Sequence, residues 1–176
     1  ALMCGRSFGT PLKELEDIRP ALTHFVQNAA VRLWKYKQAA SAITVYLSTN
    51  RFRKNIAQRS VSASVEMGAT DNLLHLNATA QRALEKVFES GFEYHKVGVL
   101  LHDLVQVKNI PEQLFDAEHK VSRSPELMWA IKNINARFGR YKVVSASASG
   151  SSAWRARSKF RSPAFTTCWN ELPIVH

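Results

Sequence analysis

AITVYLSTNRFRKNIAQRSVSASVEM, residues 42–67, decides the fold. Ile43, Val45 and Leu47 alternate with Thr44, Tyr46 and Ser48, the two-residue period of a half-buried strand. From Arg59 the alternation resumes. Val61, Ala63, Val65 and Met67 face one way; Ser60, Ser62, Ser64 and Glu66 face the other. Between the two runs lies a basic loop, NRFRKNIAQR. Two alternating runs around one polar loop predict two adjacent strands, each with one apolar and one hydroxyl-rich face.

Working outward, the period changes to three and four residues. Upstream, Leu15, Ile18, Leu22, Phe25, Ala29, Leu33 and Tyr36 form one stripe, which predicts an amphipathic helix of roughly 25 residues. Thr10 and Pro11 supply its start signal, and Pro20 either bends it or marks its true beginning. Downstream, Thr70 and Asp71 open a second helix, with Leu73, Leu76, Ala80, Leu84, Val87 and Phe88 on its stripe and Gly91 as its stop. Flanking strands are expected at LMCGRSF, 2–8, and EYHKVGVLLHDL, 93–104. The order β-α-β-β-α-β predicts an α+β fold: a four-stranded antiparallel sheet with two helices on one face.

Beyond residue 107 the character changes. Residues 1–107 are expected as one domain, 108–123 as a linker, and 124–176 as a small α/β C-terminal domain. SPELMWAIKNINARFG reads as a third helix capped by Ser124, with Pro125 first. KVVSASASGSS reads as a strand entering a serine-rich loop. The closing SPAFTTCWNELPIVH is unusually apolar for a tail. Pro163 and Pro173 block a long helix through it. It reads as an extended segment packed on the third helix through Phe165 and Trp169, with a direct partner contact as the alternative.

The composition narrows the function. A hydrophobic content of 45% suits a globular core. With 24 basic against 14 acidic residues the net charge is +10, which points to a polyanion, nucleic acid first. Cys4 and Cys168 form no CxxC pair, so a reducing, cytoplasmic setting is the expectation. No run of about 18 apolar residues is present to span a membrane. The opening ALMC lacks the charged and apolar regions that precede a lipoprotein cleavage site. A first residue other than Met suggests a fragment of a longer protein.

The face of the sheet opposite the helices carries Thr44, Tyr46, Ser48, Ser60, Ser62 and Ser64. Short hydroxyl side chains let a phosphate backbone approach and donate to its oxygens. Arg51, Arg53, Lys54 and Arg59 of the loop, with Arg6 and Lys96 on the outer strands, add positive charge. The alternative is an ordinary wet sheet face. RNA-recognition modules of this topology stack bases on aromatic residues of the central strands. Here Tyr46 is alone, so backbone tracking is expected rather than base reading.

Four segments carry a family resemblance: GRSFG at 5–9, TNRF at 49–52, TDNLL at 70–74 and YHKVGVLLHDL at 94–104. They resemble the little-finger domain of Y-family translesion DNA polymerases, and within them the UmuC type of DNA polymerase V. SPELMWAIKNINARFGR and WRARSKFRSPAFTTCWNELPIV are similar to the C-terminal domain that UmuC-type proteins carry beyond the little finger. The resemblance covers nearly the whole chain in order. It implies a part of an error-prone SOS-response DNA repair polymerase that grips primer–template duplex DNA through the backbone. Arg6, Ser7, Arg51, Arg53 and Lys54 would then touch phosphates, joined by Tyr46, Asn50, Arg59, Ser60, Ser62 and Lys96 on the same surface. The family often reads SRSFG where this chain has Cys4 and Gly5 before Arg6, which weakens the first contact.

The resemblance also implies partners: the sliding clamp, a dimeric UmuD-type subunit and the RecA filament. In IPEQLFD, 110–116, Leu114 and Phe115 match the last pair of a clamp-binding peptide, whose glutamine fixes register. Gln113 stands two positions late, and Pro111 and Glu112 occupy the expected glutamine and leucine positions. The other reading is a linker that tucks Leu114 and Phe115 onto its own domain. Arg155, Arg157, Lys159 and Arg161 recur every second residue. In a strand they form one basic ridge, for phosphate or simply as a protected edge.

Chemistry is not expected. Two-metal polymerases need paired carboxylates, and Glu14, Glu16, Asp17 and Asp103 form no such pair. The six histidines lack metal-ligand spacing. Neither cysteine has a neighbouring base. The expectations are no catalysis, no metal and no cofactor. A stand-alone nucleic-acid module and a protein adaptor are the rival readings.

Overall fold

A computed structural model of the chain describes residues 1–53, 55–109, 125–139, 141–149, 153–155 and 162–172. Its elements are β1 (Leu2–Leu12), α1 (Leu15–Tyr36), β2 (Gln38–Thr49), β3 (Ser60–Thr70), α2 (Leu73–Val87), β4 (Tyr94–Gln106) and α3 (Pro125–Phe138). The four strands form one antiparallel sheet in the order β1-β4-β2-β3. The apolar alternation of the hairpin sends Ile43, Val45 and Leu47 into the core beside Val97, Val99 and Leu101 of β4. Ile18, Leu22, Phe25 and Leu33 of α1 and Leu73, Leu76 and Leu84 of α2 cover them. Both helices therefore pack on one face and leave the other open, as the α+β reading expects.

Several boundaries differ from the sequence reading. Thr10 and Pro11 do not start α1; they lie within β1, which runs to Leu12. The register jumps from Ser7↔Lys96 to Leu12↔Tyr94, so the chain bulges between them. β1 is an edge strand, and a bulged edge tolerates a proline that cannot donate to the ladder. The bulge delivers Leu12 into the core at 5% exposure. The helix starts only after Glu14, with Glu16 and Asp17 in its first turn, and Pro20 lies inside it. Lys37 ends α1 in the left-handed region at φ 53°, its N–H reaching the carbonyls of Leu33 and Trp34.

The cap of α2 is Asn72, not Thr70 or Asp71. Its Oδ1 accepts from the backbone N–H of Leu74 at 2.9 Å and His75 at 3.3 Å. β3 extends to Thr70, which leaves no room for an earlier cap. Gly91, with φ 92°, shapes the turn after α2 rather than ending the helix, which stops at Val87. β4 outruns its expected stop at residue 104, and Asp103 lies inside it. Asp103 adopts φ 50° within the strand, which continues to Gln106. Because Asn72 satisfies two helix donors, Asn72→Ala is expected to cost about 1 kcal/mol. A thermal melt about 2–4 °C below wild type would register that loss.

Met128 and Ile131 of α3 join the same buried cluster as the sheet and first two helices. Lys132 pairs with Asp71 at 3.2 Å. Val143 and Val144 form no strand. The N–H of Val143 donates to Asn135 Oδ1, and its carbonyl accepts from Asn135 Nδ2 and Gln27 Nε2. Side-chain amides thus take the place of a ladder partner, and a 3-10 turn follows at Ala146–Ala148. The tail also departs from expectation. Trp169 is 87% exposed and Phe165 45%, so neither anchors it. The segment turns on itself instead, with Thr167 and Cys168 donating to the carbonyl of Ala164 and a 3-10 turn at Trp169–Glu171.

Candidate nucleic-acid interface

Strand register assembles the open face in rows. Ser7 on β1 stands opposite Lys96 on β4, Lys96 opposite Ser48 on β2, and Ser48 opposite Ser60 on β3. The next row is Gly5, Gly98, Tyr46 and Ser62, and the third is Met3, Leu100, Thr44 and Ser64. Three of four residues in the first row carry hydroxyls. Thr44 Oγ1 lies 2.7 Å from both Ser64 Oγ and His102 Nε2, which ties three strands together at one end.

The middle row is flat for a physical reason. Tyr46 lies down across the sheet, its ring over Gly98 and its phenol against Gly5; a Cβ at either glycine would overlap it. The hydroxyl is buried and has no hydrogen-bond partner among the described residues. Burial first, then Cys4 nearby, pushes the phenol pKa up, so the group stays neutral. The ammonium of Lys96 sits 5.5 Å from the ring centroid, an attraction that holds the lysine over the face. No carboxylate pairs with Lys96 among the described residues. This close approach is the part of the surface that sequence reading missed. A glycine inside a strand, Gly98, is its available signal, since such glycines mark places where another group comes close.

Two expected contacts lie elsewhere. Arg6 is opposite Val97, a core residue, so it belongs to the helix side of β1. Arg59 neighbours Ser60 and points the other way. Its guanidinium pairs with Glu89 at 2.6 Å and lies 5.1 Å from the Phe92 ring centroid. Neither is on the open face.

The β2–β3 loop keeps its basic character. Arg51 and Arg53 are exposed, and among the described residues the one carboxylate paired with Arg53 is Glu93, at 3.9 Å. Their side chains do not hold the loop. Asn50 Oδ1 accepts from Phe52 N–H at 3.0 Å, and Gln58 Nε2 donates to the carbonyls of Arg53 at 2.8 Å and Asn50 at 3.2 Å. Asn50 is thus a loop-shaping residue. Lys54 lies outside the described residues, as do Gln113, Leu114 and Phe115 and, in the basic ridge, Arg157, Lys159 and Arg161. Arg155 is described. Its guanidinium lies 5.8 Å from the Trp154 ring centroid, and Trp154 packs against His24 and Phe25.

The described residues hold no group of three or more His, Cys, Asp or Glu arranged for a metal ion. No described helix is long and apolar enough to cross a membrane. What the open face can do chemically is donate. It offers hydroxyls, an unpaired ammonium and two exposed guanidiniums at its loop end, with Glu66 at the opposite end of β3.

Residues 1–114 match the model of the impB/mucB/samB family C-terminal domain, and residues 125–175 match a domain of unknown function. Protein SamB of Salmonella typhimurium is 29% identical over 175 residues, 99% of this chain and 41% of SamB. Protein UmuC of the same organism is 27% identical over 172 residues, 97% of this chain and 41% of UmuC. The chain spans about two-fifths of the length of these curated relatives. Among solved structures, DinB from Sulfolobus solfataricus aligns with a TM-score of 0.46 and 15% identity, covering 60% of this chain and 29% of that one.

Proposed function

Because the chain belongs to the impB/mucB/samB family, we propose that it is the non-catalytic C-terminal part of a UmuC-like translesion DNA polymerase, acting in the cytoplasm. Its task is to grip primer–template duplex through phosphate contacts. The observation that carries this reading is the row Ser7, Lys96, Ser48 and Ser60, which runs across all four strands on the face without helices. A duplex backbone laid on that face meets hydroxyl donors at strand spacing, with Lys96 in the middle and Arg51 and Arg53 at the edge. Contacts of this kind position DNA without reading its sequence. A grip on the backbone alone would tolerate a damaged base.

The test is fluorescence anisotropy of labelled primer–template duplex across a salt series. Weak binding, equal for unrelated sequences and falling with a log–log slope of about 0.9 per phosphate contact, is the expected result. Salt-independent binding, or none at about 50 mM salt, would remove the phosphate grip. Within the same reading, Gln113, Leu114 and Phe115 form a divergent clamp-binding peptide. The UmuD-type dimer and the RecA filament are its further partners.

A second reading has its own observation. Trp129 is 67% exposed, Phe138 60% and Trp169 87%. Large aromatics left in water favour a contact between the C-terminal segment and a protein partner.

A further inference from the structure

A cleft of about 1140 Å³ opens on the helix side of β1, between that strand, α1, α3 and the side chains of Tyr141 and Trp154. Three aromatic rings meet in it. His24 lies 4.9 Å from Tyr141 and 4.9 Å from Trp154, centroid to centroid. Trp154 is fixed by the edge of β1, where Gly9 N–H donates to its carbonyl and Thr10 Oγ1 to that of Ala153. Tyr141 is fixed by its hydroxyl, which donates to Asn28 Oδ1. Burial and the nearby Arg155 hold the His24 imidazole below its usual range, so it is a neutral ring near pH 7.

The charge around the rings is of one sign. Among the described residues Arg6, Arg32, Lys35 and Lys132 line the cleft, and no carboxylate does. Lys132 is engaged by Asp71, whereas Arg6, Arg32 and Lys35 are exposed and have no ion-pair partner among the described residues. Gln27 also lines the cleft. It is 1% exposed, and its Oε1 is buried with no hydrogen-bond partner among the described residues.

We propose that this cleft binds single-stranded nucleic acid: an unpaired base stacks on the Tyr141, His24 and Trp154 rings while its phosphates meet Arg6 and Arg32. Neutral rings beside unpaired cations are the combination that single-strand binding uses, because every base has a face to stack and every nucleotide a phosphate. The site lies on the opposite side of β1 from the open sheet face. It adds to the duplex reading and does not depend on it.

The test uses the full 176-residue chain and a labelled, 5′-phosphorylated tetradeoxyadenylate, with blunt duplex as competitor. Trp154→Leu is expected to weaken tetranucleotide binding about tenfold, the size of one lost base stack. Arg6→Gln with Arg32→Gln changes exposed side chains only and decides the matter if the tryptophan variant does not fold; losing two single-strand phosphate contacts should weaken binding about 25-fold at about 0.1 M salt. Duplex affinity should stay within about twofold in both variants, since its phosphates lie on the other face. Three outcomes overturn the proposal: unchanged tetranucleotide binding in the arginine variant, one-for-one displacement by blunt duplex, or an oligoglutamate peptide that outbinds the tetranucleotide.

Discussion

Gly5→Ala is expected to lower the stability of the chain by about 3 kcal/mol, because overpacking beside an immovable backbone is at the costly end of such substitutions. A Cβ at position 5 would stand 2.7 Å from Gly98 Cα and 2.8 Å from the Val97 carbonyl oxygen. It would also meet the Tyr46 phenol. The ring can swing away, but the β4 backbone is held between β1 and β2 and cannot. The edge strand must therefore separate from the sheet, and with it Leu2, Phe8 and Leu12 leave the core. Thermal unfolding should fall by about 6–12 °C. Gly98→Ala is the informative contrast. The three nearest atoms to its new Cβ all belong to the Tyr46 phenol side chain. Its cost should be smaller, and Tyr46→Ala in the same chain should relieve it. A Gly5→Ala chain that melts like wild type would show that the strands are not pressed together there.

The double substitution R51E/R53E is expected to act on binding and not on folding. Each phosphate contact contributes about 0.9 decade of duplex affinity at about 0.1 M salt, so losing two weakens binding about 60-fold and flattens the salt slope by about 1.8. Both arginines are exposed, and the loop is held by Asn50 and Gln58, so the melting temperature should not move. Anisotropy with a parallel thermal melt separates the two effects. A 60-fold loss accompanied by unfolding would assign these residues a structural role. An unchanged slope would take the loop out of the interface.

The hairpin was legible because period-two alternation survives any uncertainty about boundaries. Ile43, Val45 and Leu47 are buried as that pattern requires. The two helices were legible for the same reason at the longer period. Their starts were not. A threonine–proline pair is a good helix opening, but Pro11 sits in a strand bulge whose existence depends on pairing with β4. The sidedness of the basic residues shows the same limit. Arg59 can be placed by parity alone, since it adjoins Ser60. Reading it as part of the loop hid that. Arg6 needs the register against Val97, and a one-residue slip would reverse it. The close packing of Tyr46 on Gly5 and Gly98 needs three strands in register at once, which no local pattern encodes. Trp169 misleads in another way: the apolar tail resembles an anchored segment, yet this side chain faces water.

The most direct measurement is an amide chemical-shift footprint of the isotope-labelled chain on addition of blunt duplex DNA. The account predicts shifts at Ser7, Ser48, Ser60, Ser62, Lys96 and Gly98 and at residues 51–53, with the amides of α1 and α2 unmoved. Shifts concentrated on α1 and the helix side of β1, with the serine rows silent, would contradict the claim that the open sheet face grips the duplex.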